Sequence, residues 1–342
     1  MRACVFHGPG RPLTVEEIPD PTPGELEVVV KVGRCGVCGT DLHLTQADAG
    51  PYGAKPGTVL GHEFSGEIVA LGREVSALKV GDAVAVMPFI GCGRCRACLS
   101  GVPSQCPRAR ASGMGGAPGG YAQYALAGAG ACVPLPAGVG LAAGALVEPM
   151  AVSLHGVRMA DLKPGDRALV IGAGPIGLAA AYWARRAGAK VAVTAASNRR
   201  EGLALAMGAD AFVTPDPDQP LARQVAEALG GPPDVVLECV GVPGMIARSI
   251  ACVRPRGLVV VLGFCVAADS FQPTMAIAKE VRMQFAALYD RKEYQITVDA
   301  LEAGAPQAMD MITDVVGLDQ APAAFEALRQ RTLQCKVQIA PA

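Results

Sequence analysis

Six short strand-like runs stand out between about residues 167 and 289, ALVI, KVAVT, AFV, DVVLE, LVVVL and RMQFAA, most of them rich in valine, leucine and isoleucine and each followed by a helical stretch or a turn. Continuous apolar runs of this length, alternating with helices, are the pattern of a parallel, doubly wound sheet covered on both faces. Before about residue 147 the pattern differs. There Gly and Pro are frequent and the strand-like runs LEVVVKV, EFSGEIVAL and DAVAVM are short, as in a compact β barrel with loops. Residues 147–162, VEPMAVSLHGVRMADL, have helical periodicity and carry the chain across, ending at the turn Lys163-Pro164-Gly165-Asp166. After about residue 290 the alternation fades into a helix over 296–303, mixed structure and a last strand, QCKVQI. The expected organisation is an α/β protein with a β-barrel domain over 1–150, a doubly wound domain over 151–289, and a tail over 290–342 that rejoins the first domain.

The length of 342 residues accommodates about two domains. Lys and Arg number 30 against 31 Asp and Glu, a net charge of -1. This balance argues for a soluble globular protein and against nucleic acid as a partner. The N-terminus lacks the continuous apolar stretch of a signal peptide, because Gly8, Pro9 and Gly10 interrupt it. Two uncharged stretches, 124–147 and 168–184, are punctuated by Gly and Pro and are expected to be buried soluble structure rather than membrane spans. Twelve cysteines without an export signal point to thiols and metal ligands, and hence to the cytoplasm.

Candidate chemistry then changes the picture. Gly172-Ala173-Gly174-Pro175-Ile176-Gly177 follows the run ALVI and opens the helical stretch LAAAYWARRAG. In that context the first glycine permits the tight turn, the second lets backbone approach a pyrophosphate, and the third lets helix pack on strand. A plain glycine turn is the other reading. The run KVAVT ends where an NAD site places an acid for the ribose hydroxyls, and Ala195 occupies that position. Ser197, Arg199 and Arg200 follow, a hydroxyl and two guanidinium groups suited to a phosphate monoester, so NADP(H) is expected with NAD(H) as the alternative. Arginines that merely face solvent stand beside this reading.

Two constellations have metal-ligand chemistry. Cys92, Cys95, Cys98 and Cys106 are spaced by two, two and seven residues, which suits a closed tetrahedral structural zinc in a lobe over about 88–110. The second set is dispersed: Cys38 in GVCGTDLH, His62 and Glu63 in LGHEFSG, and Glu148 in LVEPMAV. One thiolate, one imidazole and carboxylates suit a catalytic zinc that keeps a position open for substrate. Thr40 and His43, beside Cys38, would pass a proton from an alcohol; equally, Thr40 caps a turn and His43 lies on the surface.

Taken in order, GVCGTDLH, GHEFSGEIVALG, the four-cysteine lobe, VEPMAV and GAGPIG resemble the medium-chain, zinc-dependent alcohol and polyol dehydrogenase family over nearly the whole chain. The resemblance implies a GroES-like barrel built from both chain ends, an inserted Rossmann domain with a six-stranded sheet, and a cleft where the two meet. It implies two zinc ions per chain, with Cys38, His62 and Glu63 at the catalytic ligand positions and Glu148 as a ligand directly or through water. It implies Thr40 and His43 as the proton relay, while a hydride moves between substrate carbon and nicotinamide. It further implies a homo-oligomer, a tetramer or alternatively a dimer. Leu288, in FAALYD, stands where polyol dehydrogenases carry an arginine for sugar hydroxyls, which implies a more apolar pocket. The expected activity is an NADP(H)-linked alcohol dehydrogenase or ketone reductase acting on a small to medium secondary alcohol or ketone. A polyol, 2,3-butanediol or threonine dehydrogenase is the alternative, and a non-catalytic relative the rival from another class.

Overall fold

In the computed structural model the six apolar runs are six parallel strands, lying side by side as Ala211–Val213, Lys190–Thr194, Arg167–Ile171, Val235–Glu238, Leu258–Val261 and Arg282–Phe285. The structure describes residues 1–47, 49, 50, 53–330 and 334–341. Strand order reverses between Arg167–Ile171 and Val235–Glu238, and the crevice outside the carboxyl ends of such a pair is where open α/β sheets bind ligands. On one face Leu169, Val236 and Val259 pack with Val225 and Leu229 of the helix Leu221–Leu229 and with Cys252 and Val253. Burying each such aliphatic side chain contributes about 1.5–3 kcal/mol, which is why strands with no polar face are stable only between helices.

The helix Pro175–Arg186 starts where the glycine motif predicts, with Gly174 as its N-cap and Pro175 in its first turn. Residues 177–184 of it are all buried. The indole Nε1 of Trp183 donates to Met150 O at 2.9 Å, and the Ser153 hydroxyl donates to Ile176 O at 2.9 Å, which ties this helix to Val147–Ala160.

Chain contacts separate Met1–Glu148 together with Asp290–Ala342 from Pro149–Tyr289. In the first unit the ten-residue strand Glu27–Gly36 is central, pairing antiparallel with Glu63–Leu71, Tyr124–Gly128 and Lys336–Ala340. The tail thus enters a sheet begun some three hundred residues earlier, at Gln338 opposite Gly36 and Ile339 opposite Cys35. A three-stranded sheet, Thr14–Glu17, Arg2–Phe6 and Thr58–Val59, was not foreseen as such. The core of this unit runs through Val30, Phe64, Ile68, Tyr121, Phe325 and Ile339. The helix expected over 296–303 is longer and begins earlier, at Arg291–Glu302. Asp290 accepts from Glu293 N while Glu293 accepts from Asp290 N, a reciprocal cap that starts the helix ahead of its apolar stripe. Among the described residues no helix is long and apolar enough to cross a membrane.

Candidate metal centre and dinucleotide turn

Cys38 ends the chain's exit from the strand Glu27–Gly36 and caps the helix Gly39–Leu44, its Sγ accepting from Thr40 N at 3.4 Å. His62 and Glu63 stand at the start of the paired strand Glu63–Leu71, so sheet register brings segments 25 residues apart to one place. Gly36 lies opposite Glu63, and a Cβ there would meet Glu63 Oε2 at 2.0 Å; only glycine leaves room for the carboxylate. Donor atoms of Cys38, His62 and Glu63 all lie within 4.8 Å of one another. Glu148, buried in the first turn of Val147–Ala160, lies outside that close set, although its charge still bears on the phenol of Tyr294.

Two residues that the motifs did not single out complete the surroundings. Asp41 is fully buried and accepts from Cys38 N (3.1 Å), from the Tyr121 hydroxyl (2.8 Å) and, at 3.2 Å, pairs with His62 Nδ1. This leaves the other ring nitrogen of His62 for a metal and fixes which one it is. Lys336, from the returning strand, reaches both oxygens of Glu63 at 2.6 and 2.8 Å and also Val37 O at 3.1 Å, entirely inside the protein. Burial alone would push His62 down, but the Asp41 and Cys38 charges outweigh it and hold the ring well above its ordinary value. Lys336 is likewise raised, because Glu63 overrides the cost of burial. A thiolate, an imidazole oriented by a carboxylate, and a further carboxylate suit zinc with a position left open.

Thr40 and His43 sit three residues apart on the Gly39–Leu44 helix and so share a face, both half-buried. His43 Nδ1 lies 3.4 Å from Gln46 Oε1. In the four-cysteine lobe, Cys92, Cys95, Cys98 and Cys106 bring their sulfurs within 4.8 Å of one another, and Cys95 and Cys98 Sγ are 3.6 Å apart. Two sulfurs each about 2.3 Å from a tetrahedral ion are separated by about 3.8 Å, so the set fits zinc. The Arg94 amide, followed by the Arg108 guanidinium, lowers Cys92 to about 5, while burial pushes Cys98 up to about 12. None of the twelve cysteines is in a disulfide.

In the other unit the glycine turn has the conformation its sequence requires. Gly172 has φ 107°, and a Cβ on Gly177 would meet Gly172 O at 1.9 Å, whereas one on Gly174 would project into open space at the helix N-terminus. That is the cradle into which a pyrophosphate fits. Ala195 follows the strand Lys190–Thr194; Ser197 caps the short turn Asn198–Arg200, in which Ser197 and Arg199 are exposed. Arg200 Nη1 donates to Ala173 O at 3.0 Å, so one of the two arginines is fastened to the glycine turn itself. At the carboxyl ends of the last three strands a cavity of about 430 Å³ is lined by Glu238, Met245, Phe264, Phe285, Ala286 and Ala287 among others. Leu288 is not among its lining residues; it adopts φ 63°, and the apolar wall is formed by the three residues before it. Glu238, which sequence reasoning passed over, is pushed up by burial although Val240 N and Gly241 N donate to it.

Residues 24–137 match the model of the alcohol dehydrogenase GroES-like domain, and residues 175–303 that of zinc-binding dehydrogenase. The chain is 32% identical to sorbitol dehydrogenase of Ovis aries, covering 98% of this chain and 95% of that one. It is 32% identical to D-xylulose reductase A of Aspergillus niger over 89% of this chain and 86% of that one. Among solved structures, 2R,3R-butanediol dehydrogenase from Bacillus subtilis superposes with a TM-score of 0.88 at 29% identity, covering 100% of this chain and 99% of that one. A Sinorhizobium meliloti protein bound to NADP gives 0.86 at 30% identity, covering 99% of both chains. A short chain alcohol dehydrogenase from Escherichia coli complexed with NADH gives 0.88 at 27% identity, covering 100% of this chain and 99% of that one.

Proposed function

Since the chain belongs to the zinc-dependent alcohol and polyol dehydrogenase family and is an oxidoreductase acting on CH–OH donors, we propose that it is an NADP(H)-linked dehydrogenase and ketone reductase for moderately hydrophobic secondary alcohols. The observation that carries this reading is the convergence of Cys38, His62 and Glu63 beside a helix that presents Thr40 and His43.

Cys38, His62 and Glu63 would hold the catalytic zinc, with Glu148, outside the close set, as a further ligand directly or through water, and Cys92, Cys95, Cys98 and Cys106 would hold a structural one. When bound, the catalytic ion supplies Lewis-acid polarisation of the substrate oxygen. The Thr40 hydroxyl would accept the substrate proton as it releases its own, and His43, one turn along the same face, would carry the released proton toward solvent; reduction would run these transfers backward. Asp41 keeps the imidazole of His62 in one tautomer, and the Lys336 ammonium balances the Glu63 charge that burial would otherwise make costly. Gly172, Gly174, Pro175, Ile176 and Gly177 would cradle the coenzyme pyrophosphate, with Ser197, Arg199 and Arg200 on the 2′-phosphate in place of the acid missing at Ala195.

A second reading, a polyol or vicinal-diol dehydrogenase, is favoured by relatives named for sorbitol, xylulose and butanediol. Leu288, in place of the arginine that polyol dehydrogenases carry for sugar hydroxyls, supports the more apolar substrate. Steady-state rates of NADPH oxidation with a ketone series, set against NADP reduction by sorbitol, 2,3-butanediol and threonine, separate the two. Turnover confined to polyols reverses the assignment. Replacing Arg199 and Arg200 by Ala is expected to raise KM for NADPH at least about tenfold more than KM for NADH; equal effects remove the NADP assignment. Metal analysis is expected to return two zinc ions per chain, falling by one in Cys38→Ser together with turnover. In Cys98→Ser the thermal midpoint is expected to fall instead, since that site offers substrate no open position.

A further inference from the structure

The helix Gly39–Leu44 is only six residues long, too short to hold its own conformation, yet its first residues include Thr40 and it follows directly on Cys38. Its N-terminal end is fixed by the Asp41 network and by Lys336 on Val37 O. The C-terminal end is held by a residue from the far end of the sequence. Arg329, just past the helix Ala321–Leu328, donates from Nη1 to Leu42 O at 3.0 Å and from Nη2 to the Thr45 hydroxyl at 2.6 Å. Thr45, itself 3% exposed, donates its one hydroxyl hydrogen between Asp41 O and Leu42 O, both at 3.0 Å. The guanidinium is oriented in turn by Glu326, which accepts from Nε at 2.9 Å, and by the fully buried ring of Phe325, whose centroid lies 5.1 Å from Arg329 Cζ.

Each side of the planar fork therefore has an assigned acceptor, a geometry that an ammonium group cannot reproduce. A cation at a helix C-terminus also complements the dipole and satisfies carbonyls that have no partner within the helix. None of this touches the reacting atoms. What it sets is the direction of the helix that carries Thr40 and His43, and displacement of a relay hydroxyl by about 1 Å costs on the order of a hundredfold in rate.

We propose that Arg329 is a positioning residue for the reaction, clamping the C-terminal end of the Gly39–Leu44 helix so that Thr40 and His43 hold the alignment needed for proton transfer. The proposal rests on the reading of Thr40 and His43 as the proton-carrying pair.

The test uses the full-length zinc-loaded enzyme and the variants Arg329→Ala, Arg329→Lys and Thr45→Val, followed by turnover, solvent isotope effect and amide hydrogen exchange. In Arg329→Ala, kcat is expected to fall about tenfold with KM for NADPH changed by less than about twofold. The solvent deuterium isotope effect on kcat is expected to rise as proton transfer becomes slower than its companion steps. Exchange at the amides of residues 42–46 is expected to quicken about tenfold while the strand Lys336–Ala340 keeps its protection. Added guanidinium ion restores turnover in Arg329→Ala, and Arg329→Lys resembles Arg329→Ala. Thr45→Val, which removes a single acceptor and keeps the side-chain shape, carries the test if Arg329→Ala does not fold, with kcat about threefold down and faster exchange over 42–46. Unchanged exchange over 42–46 overturns the clamp, whatever the turnover. Faster exchange with wild-type kcat and isotope effect overturns its bearing on the reaction. A wild-type chain that turns over no alcohol or ketone sinks the underlying reading, and this is distinguishable because it fails before any variant is made.

Discussion

Replacing the Asp41 carboxylate by an amide of the same shape leaves three donors, Cys38 N, the Tyr121 hydroxyl and the His62 ring, around a weaker acceptor with no charge. Outer-shell groups of this kind set the tautomer and basicity of a metal-binding imidazole, and their loss costs about 10–100-fold in metal affinity or activity. Asp41→Asn is therefore expected to bind zinc at least about tenfold more weakly in a chelator competition, with the overall fold retained by circular dichroism; unchanged affinity would show that Asp41 serves packing alone. A second residue gives a pH test away from the metal. Burial would push Asp234 up, yet the Arg167 amide at 2.8 Å and the Arg254 Nε at 2.6 Å hold it below its ordinary value. A folded value below the unfolded one contributes stability that is present above the unfolded range and disappears as pH falls through the folded one. Asp234→Asn should then be less stable by about 1–2 kcal/mol at pH 7, with the gap closing below about pH 4 in denaturant titrations. At this scale Cys38, His62, Glu63 and the four lobe cysteines were legible as donor types in tell-tale motifs. Asp41, three residues past Cys38, and Lys336, a charge inside the apolar run KVQI, were visible letters without a visible partner, because a partner 273 residues away is supplied only by sheet register.

Elements were most legible where burial is two-sided. All six strands of the parallel sheet coincide with the expected runs to within two residues, and the four inner ones are the continuously apolar, buried stretches that only a sandwiched strand tolerates, whereas the edge strand Arg282–Phe285 is half exposed. The half-exposed elements were less so: the start of Arg291–Glu302 was placed five residues late because its signal is the polar pair Asp290 and Glu293 rather than an apolar period. A similar polar device holds the C-terminal end of the helix Met245–Cys252. Lys279 Nζ donates to Ile250 O at 3.0 Å, Ala251 O at 2.7 Å and Val253 O at 2.9 Å, spending every proton of the ammonium on carbonyls the helix leaves unpaired. Lys279→Met keeps the aliphatic stem and removes the donors. The expected loss is about 1–2 kcal/mol, seen as a drop of a few degrees in the thermal midpoint with kcat unaltered, since Lys279 belongs to neither proposed site. An unchanged midpoint would mean that water replaces the ammonium at no cost.

For the molecule as a whole, the two units differ in how the chain supplies them. Pro149–Tyr289 is continuous, and its six strands and their covering helices all come from that stretch. The other unit is assembled from both ends: Lys336–Ala340 pairs with Glu27–Gly36, Phe325 sits in the core beside Tyr121, and Lys336 neutralises Glu63. Without residues 290–342 that unit would present an open sheet edge and a buried carboxylate with no counter-charge, and removal of one partner of a buried ion pair costs about 3–5 kcal/mol by itself, a large part of a typical domain's stability. The fragment 149–289 is accordingly expected to unfold in one cooperative step with the heat-capacity change of a packed domain, whereas the fragment 1–148 is expected to lack a cooperative transition and to regain one when a peptide spanning 290–342 is supplied. Calorimetry on the two fragments decides the matter, and a cooperative transition in 1–148 alone would show that the returning strand and its lysine complete the proposed metal site without being needed to build the sheet around it.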